Sequence, residues 1–263
     1  MGKGNHYGIN EFESSLSINE EELMRLGFTI IDSGLSQDTL ISLREEVLSI
    51  REDYLGKHGH QFMHSIGEHN GIRMPLSMSE NFLELAFNKN LILFVDSVLK
   101  ENYILNQQNA VINPANDHYN QAAWHRDLPY QHVTFSRPLA INALFCIDDF
   151  TKENGGTIVI PNSHKFEKYP SDEFVNKYSI QVEAKAGSFI VLDCMTYHRG
   201  GYNLTDNARC AVNHVFTSPI IPQQINMENE IIGKYELSDK QKRILSFNNR
   251  DNSTIFNYLK SRV

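Results

Sequence analysis

Two side chains able to hold a metal stand two positions apart near the middle of the chain, in the stretch "WHRD" (Trp124 to Asp127). The run "AAWHRD" reads as a strand, and alternate residues of a strand point to the same side, so His125 and Asp127 share a face. A bare His-x-Asp arises easily by chance in a chain with 11 histidines, so the pair gains weight only from partners further along the chain. After "GSFIVLDCMTY" come His198, two glycines, Asn203 and, opening the last well-formed strand pattern, Arg209. Two histidines and one carboxylate make the facial donor set of non-haem Fe(II) oxygenases, which leaves coordination positions open. Those positions can take a bidentate 2-oxo acid and then O2. An acid such as 2-oxoglutarate has a distal carboxylate that needs its own partner, and a guanidinium fork offers two parallel hydrogen bonds. Arg209 is the candidate for that clamp.

The elements that must position these residues change character along the chain. Up to about residue 101 the pattern is mostly helical. "INEEELMRLG" is acidic early and stops at Gly27, and "GFTIIDSG" reads as a short strand. "LSQDTLISLREEVLSIREDY" offers Ser36 as N-cap and Leu40, Leu43, Val47 and Ile50 at helical spacing. "SENFLELAFNKNLILFVDSVLK" predicts one or two further helices. Between them, Lys57 to Arg73 is rich in Gly and His and reads as a loop. From about 102 to 222 short Val/Ile/Phe/Thr runs alternate with Asn-Pro, Asn-Gly-Gly, Ala-Gly and Asp-Asn turns, which indicates a sandwich or barrel. The tail, about 223–263, returns to helix in "LSDKQKRILSF" and "DNSTIFNYLK". The expectation is one domain over 1–263, mainly β with flanking helices.

Composition narrows the partners. A net charge of −8 and no basic run longer than "KQKR" argue against nucleic acid and anionic membrane. The longest apolar runs, such as "LILFV" and "FIVL", are too short to span a bilayer, and the N-terminus shows neither a secretory h-region nor a myristoylation signal. Three scattered cysteines, Cys146, Cys194 and Cys210, suit a reducing cytoplasm better than a disulfide framework.

With these motifs in hand, the span from about Tyr103 to Phe216 resembles the phytanoyl-CoA dioxygenase family of Fe(II)/2-oxoglutarate oxygenases. "WHRD" looks like the first metal motif, "ENGGTIVIPNSHK" is similar to the family's "NG…IPGSH" turn and strand, and "YHRGGYNLTDNARCAV" to its closing stretch. The resemblance implies a double-stranded β-helix (a cupin-like jelly roll) buttressed by helices. It implies His125, Asp127 and His198 as iron ligands and Arg209 as the clamp on 2-oxoglutarate. Hydroxylation of an unactivated C–H bond would result, with release of succinate and CO2. Members often carry a hydroxyl residue two positions after the distal histidine, where this chain has Gly200. Asn162 replaces the glycine of the "IPGSH" turn, and Asn tolerates the left-handed conformation. The presence of Asp127 argues against halogenation.

Other side chains are candidates of a looser kind. Gln107, Asn109 and Asn113 share one face of "LNQQNAVIN" if Gln108 points away, and with Asn142 they could hold 2-oxoglutarate or substrate. Trp124 packs beside the site or lines it, and Tyr130, Gln131 and His132 would border its mouth. Ser163 and His164 read chiefly as structural. His58, His60, His64 and His69 could form a second metal site, but they lack paired zinc spacing, and a lid carrying Lys57 and Arg73 toward an anionic substrate is the alternative. A small polar metabolite or biosynthetic intermediate is the preferred substrate. A rival reading is a non-redox cupin-type isomerase or small-ligand sensor, which has no need of Arg209. A third is a scaffold that merely retains the ligands.

Overall fold

A computed structural model describes residues 16–100, 102–117, 119–128 and 133–247. α1 (Ile18–Leu26) is capped by Ser17, whose hydroxyl accepts from the Glu20 N–H in a reciprocal capping box. It stops at Gly27 in the left-handed conformation, as expected from the sequence. β1 (Phe28–Asp32) comes next, then α2 (Gln37–His58), which buries Leu40, Leu43 and Val47 at the anticipated spacing behind the Ser36 cap. The Gly/His-rich segment is not a loop. α2 runs to His58, α3 (His60–Ser65) restarts beyond Gly59, and β2 (Gly71–Arg73) closes it. Within its helical part only Met63 is a buried apolar residue, and Ile72 of β2 is the next, so the periodic signal is sparse. α4 (Glu80–Ala86) and α5 (Lys89–Leu99) are the two helices of the next segment.

The remaining strands are β3 (Ile104–Asn113), β4 (Ala140–Cys146), β5 (Ile158–Val159), β6 (Ile180–Gln181), β7 (Ser188–Asp193), β8 (His198–Arg199) and β9 (Arg209–Thr217). They form two antiparallel sheets, β1-β7-β4-β9-β3-β2 and β6-β5-β8. The two edge strands of the large sheet come from the first hundred residues, so that part of the chain completes the β core and does not merely flank it. "AAWHRD" is not a regular strand. A 3-10 turn at Asn120–Ala122 precedes it, and it meets β8 through the single His125/His198 bridge. α6 (Asp172–Tyr178) interrupts the β region behind Ser171 as cap, a helix the strand pattern hides. In the tail, α7 (Met227–Ile231) and α8 (Asp239–Ile244) are present, and "DNSTIFNYLK" lies outside the described residues.

Strand alternation sorts side chains into two layers. Phe145 of β4, Phe189 and Val191 of β7, and Val212 and Phe216 of β9 pack against α2, α4 and α5 in the main apolar cluster. Each such burial is worth roughly 1.5–3 kcal/mol. The opposite face supplies Ile190, Leu192 and Ala211 to a smaller cluster with Val159 and Val182 from around the small sheet. The space between the sheets is therefore apolar at one end, and the polar residues of the same inner face gather at the other.

Gly27 ties this scaffold to the site. Its carbonyl accepts from Asp193 N and from Thr196 Oγ1, both at 2.9 Å, bracing the turn that leads into His198. A Cβ on Gly27, whose φ is +88°, would lie 2.4 Å from Thr196 Oγ1 and 2.6 Å from His164 Nδ1. Gly27→Ala is expected to cost at least about 1–3 kcal/mol from backbone strain alone, read as a lower urea midpoint at unchanged m-value.

Candidate metal centre and adjoining cavities

The backbone places the first two donors without a full strand. His125 N–H donates to His198 O, His198 N–H returns the bond to His125 O, and Asp127 N–H donates to Cys194 O. Alternation thus survives, with His125 and Asp127 turned one way and Arg126 the other. The Arg126 guanidinium lies 4.0 Å from the Tyr197 ring centre and donates to the carbonyls of Ser163 and Phe166, anchoring the segment from behind.

His125 Nε2 is 3.8 Å and His198 Nε2 3.6 Å from Asp127 Oδ1. One ligand atom from each of the three side chains lies within 4.8 Å of the others. Each imidazole is oriented by its other nitrogen. His125 Nδ1 is 2.8 Å from Ala123 O, and His198 Nδ1 is 2.9 Å from Thr196 O. A carbonyl only accepts, so Nδ1 carries a proton and Nε2 is the nitrogen turned toward the carboxylate. Burial lowers the His198 pKa, more than the neighbouring Asp127 carboxylate raises it, which favours the neutral ring. Two imidazole nitrogens and a carboxylate oxygen then converge on one point, a donor set whose chemical complement is a metal cation. Asn142, on the inner face of β4, donates from Nδ2 to Asp127 Oδ2 at 3.0 Å and leaves Oδ1 toward the histidines.

Two cavities share both His125 and Asp127, and a third touches Asp127 alone of the three donors. The smaller of the first two is bordered by Asn142, Leu144, Tyr119, Thr157 and Arg209 as well as the triad. Arg209, the first residue of β9, is 4% exposed; its guanidinium carbon lies 3.7 Å from the Phe150 ring centre and its Nε donates to Asn154 O. The larger cavity, about 210 Å³, shares His125, Asp127, Val111, Gln121 and Asn213 with the smaller one and extends past Gln107, Asn109 and Gln224 to the Glu68–Arg73 ion pair.

The loosely assigned residues fall in different places. Gln107 and Asn109 face the larger cavity, while Gln108 points to the helical side, accepting from Leu76 N and donating to Phe82 O. Asn113, two residues beyond Val111, is fully buried and donates to Gly201 O at 3.0 Å. Trp124 packs beside Ile160 and Tyr197, with the Arg199 guanidinium 5.2 Å from its ring centre. Tyr130, Gln131 and His132 lie outside the described residues. Ser163 accepts from Tyr197 N, and His164, whose pKa burial pushes down to about 4, reaches Met24 O. His64 and His69 stack at 3.9 Å and His58 packs on Tyr54, but among the described residues the triad is the one metal-compatible group. Arg73 is engaged with Glu68, and so is not a free cation held out on a lid. Sequence reasoning misses Tyr119, Gln121 and Thr157. They sit in a turn and at a strand end, where no periodicity marks them.

Residues 23–211 match the family model described as Phytanoyl-CoA dioxygenase (PhyH). The Mycobacterium tuberculosis protein "Uncharacterized protein Rv1501" is 28% identical over 221 residues, 82% of this chain and 80% of that one. The "Iron/alpha-ketoglutarate-dependent dioxygenase ausO" of Aspergillus calidoustus is 34% identical over 97 residues, 36% of this chain and 32% of that one. In fold, the chain is similar to EctD from S. alaskensis, in a crystal structure with 2-oxoglutarate and 5-hydroxyectoine. The TM-score is 0.66 at 19% identity, with 79% of each chain covered.

Proposed function

The chain belongs to the phytanoyl-CoA dioxygenase (PhyH) family, and from that premise we propose that it is an Fe(II)- and 2-oxoglutarate-dependent dioxygenase hydroxylating a C–H bond of a small polar metabolite. Succinate and CO2 are the co-products, and the two antiparallel sheets are the halves of a double-stranded β-helix. The observation that carries the reading is the convergence of two imidazole nitrogens and a carboxylate in a cavity that also holds a buried arginine. His125, Asp127 and His198 would hold Fe(II). The iron supplies open coordination positions at which 2-oxoglutarate and O2 react.

The protein's own part is positional. Arg209 fixes the distal carboxylate of the oxo acid, and Leu144 and Val111 keep water from the cavity between it and the ligands. The larger cavity receives the substrate. Its walls are mostly polar, with the carboxamides Gln107, Asn109, Asn213 and Gln224 and the Glu68–Arg73 ion pair among them. Such walls offer donors and acceptors in equal measure and little to an alkyl chain. An isomerase or sensor built on the same donors gives a buried arginine in the metal cavity no task.

Asn142 orients the ligand carboxylate without reaching the metal. Partners of this kind are worth about 10–100-fold in metal affinity. Asn142→Leu is therefore expected to weaken Fe(II) binding by that factor while leaving the fold intact, measured by anaerobic competition with a colorimetric chelator.

The test of the whole reading is an anaerobic titration of the metal-free protein with Fe(II) and then 2-oxoglutarate. A weak visible charge-transfer band that requires both is the expected result. Metal binding with no band and no calorimetric affinity for 2-oxoglutarate would sink it.

A further inference from the structure

The small cavity contains a hydroxyl that the sequence gives no reason to expect. Gly200 comes directly after β8, and its N–H donates to Gln121 O at 2.7 Å, docking the 3-10 turn Asn120–Ala122 onto the strand end. Tyr119 stands at the head of that turn with its side chain folded back over Gly200. A Cβ built on Gly200 would lie 2.5 Å from Tyr119 Cε1 and 2.8 Å from Cδ1, so any side chain at 200 and this ring compete for one space. Gly200 leaves that space to the ring. The phenol is 5% exposed and borders the same cavity as Arg209 and the three donors. It is hydrogen-bonded to the Arg209 guanidinium, and burial holds its pKa above the ordinary range, so it stays a protonated donor.

We infer that the Tyr119 hydroxyl and the Arg209 guanidinium together bind the distal carboxylate of the oxo-acid co-substrate, with Gly200 kept bare to seat the tyrosine ring. The inference rests on the oxygenase reading above. A carboxylate has about four acceptor sites. Arg209 spends its Nε on Asn154 O, so its remaining N–H groups leave acceptor sites open, and a buried one without a donor is costly. Thr157 Oγ1, the other hydroxyl bordering the cavity, is the rival partner.

The experiment is anaerobic calorimetry of 2-oxoglutarate into the Fe(II)-loaded protein, with the charge-transfer band as a second readout; neither needs turnover or a known substrate. Tyr119→Phe removes one oxygen and keeps the ring, so folding is not at stake. A hydrogen bond to a charged group is worth roughly tenfold or more. The expected result is a rise of about that size in the 2-oxoglutarate Kd at unchanged Fe(II) affinity. Gly200→Ala, which displaces the ring, should weaken 2-oxoglutarate in the same way. Tyr119→Ala with Gly200→Ser, a hydroxyl returned to the vacated space from the neighbouring backbone, should recover part of what Tyr119→Ala alone loses. Equal Kd values for the wild type and Tyr119→Phe would overturn the inference, as would a loss on Thr157→Val without one on Tyr119→Phe. Failure of the wild type itself to bind 2-oxoglutarate would instead remove the oxygenase reading along with it.

Discussion

Asp127→Ala is expected to abolish Fe(II) retention and oxygenase turnover together while leaving the metal-free protein folded. The carboxylate side chain is 11% exposed and faces the Nε2 atoms of both imidazoles, so the metal-free site crowds a largely buried carboxylate against the other two donors. Asn142 Nδ2 donates to it, and the buried Cys194 thiol is also hydrogen-bonded to it. Removing the carboxylate relieves that crowding and leaves the Asn142 amide, which the adjoining cavity can rehydrate, and the weakly donating Cys194 thiol without this acceptor, so the metal-free stability should change little. Loss appears only with metal present. At Fe(II) a hundredfold above its Kd, binding stabilises the native state by about 2.7 kcal/mol. For a domain of this order, each kcal/mol moves Tm by about 2–4 °C. The wild type should therefore gain roughly 5–10 °C on anaerobic Fe(II) addition, and Asp127→Ala should gain almost nothing. A variant that still gains the full shift would mean the metal sits elsewhere, and the triad reading would fall.

How much of this is legible in the sequence depends on where each signal lives. Ser36, Leu40, Leu43 and Val47 announce α2 because a cap and a 3.6-residue period are local facts of the chain. The inner face of β3 is half local. Period two groups Gln107 with Asn109 but does not say which face is inward, and only the bonds of Gln108 to Leu76 and Phe82 choose the phase. His125 and His198 lie far apart in sequence yet are joined by motif order, which carries the chemistry of a donor set without the geometry. What stays hidden is non-local and aperiodic. Nothing in the segment around Tyr119 shows that it will fold over Gly200, because the reason lies in a distant stretch of backbone. The helical start in the Gly/His-rich segment escapes the pattern because Met63 is the one buried apolar residue of its helical part.

Arg209→Ala should separate the oxo-acid site from the metal. The guanidinium touches none of the three donors; it is held by Asn154 O and the face of Phe150. Fe(II) affinity, and the thermal gain that reports it, should stay at the wild-type level. The affinity for 2-oxoglutarate should fall by about 100-fold, since truncating one partner of a buried, hydrogen-bonded charge pair costs about 2–5 kcal/mol. The visible band should then appear only at correspondingly higher 2-oxoglutarate. Arg209→Lys distinguishes charge from shape. A lysine keeps the cation but loses the planar fork and its stacking on Phe150, so it should recover only a minor part of the affinity. If charge alone suffices, Arg209→Lys will match the wild type. If Arg209→Ala leaves 2-oxoglutarate binding untouched, the arginine belongs to the packing of β9 against Phe150. A metal protein with no need of an oxo acid would then be the better account of the donor set, because both cavities would remain but nothing would hold the far end of the co-substrate in the smaller one.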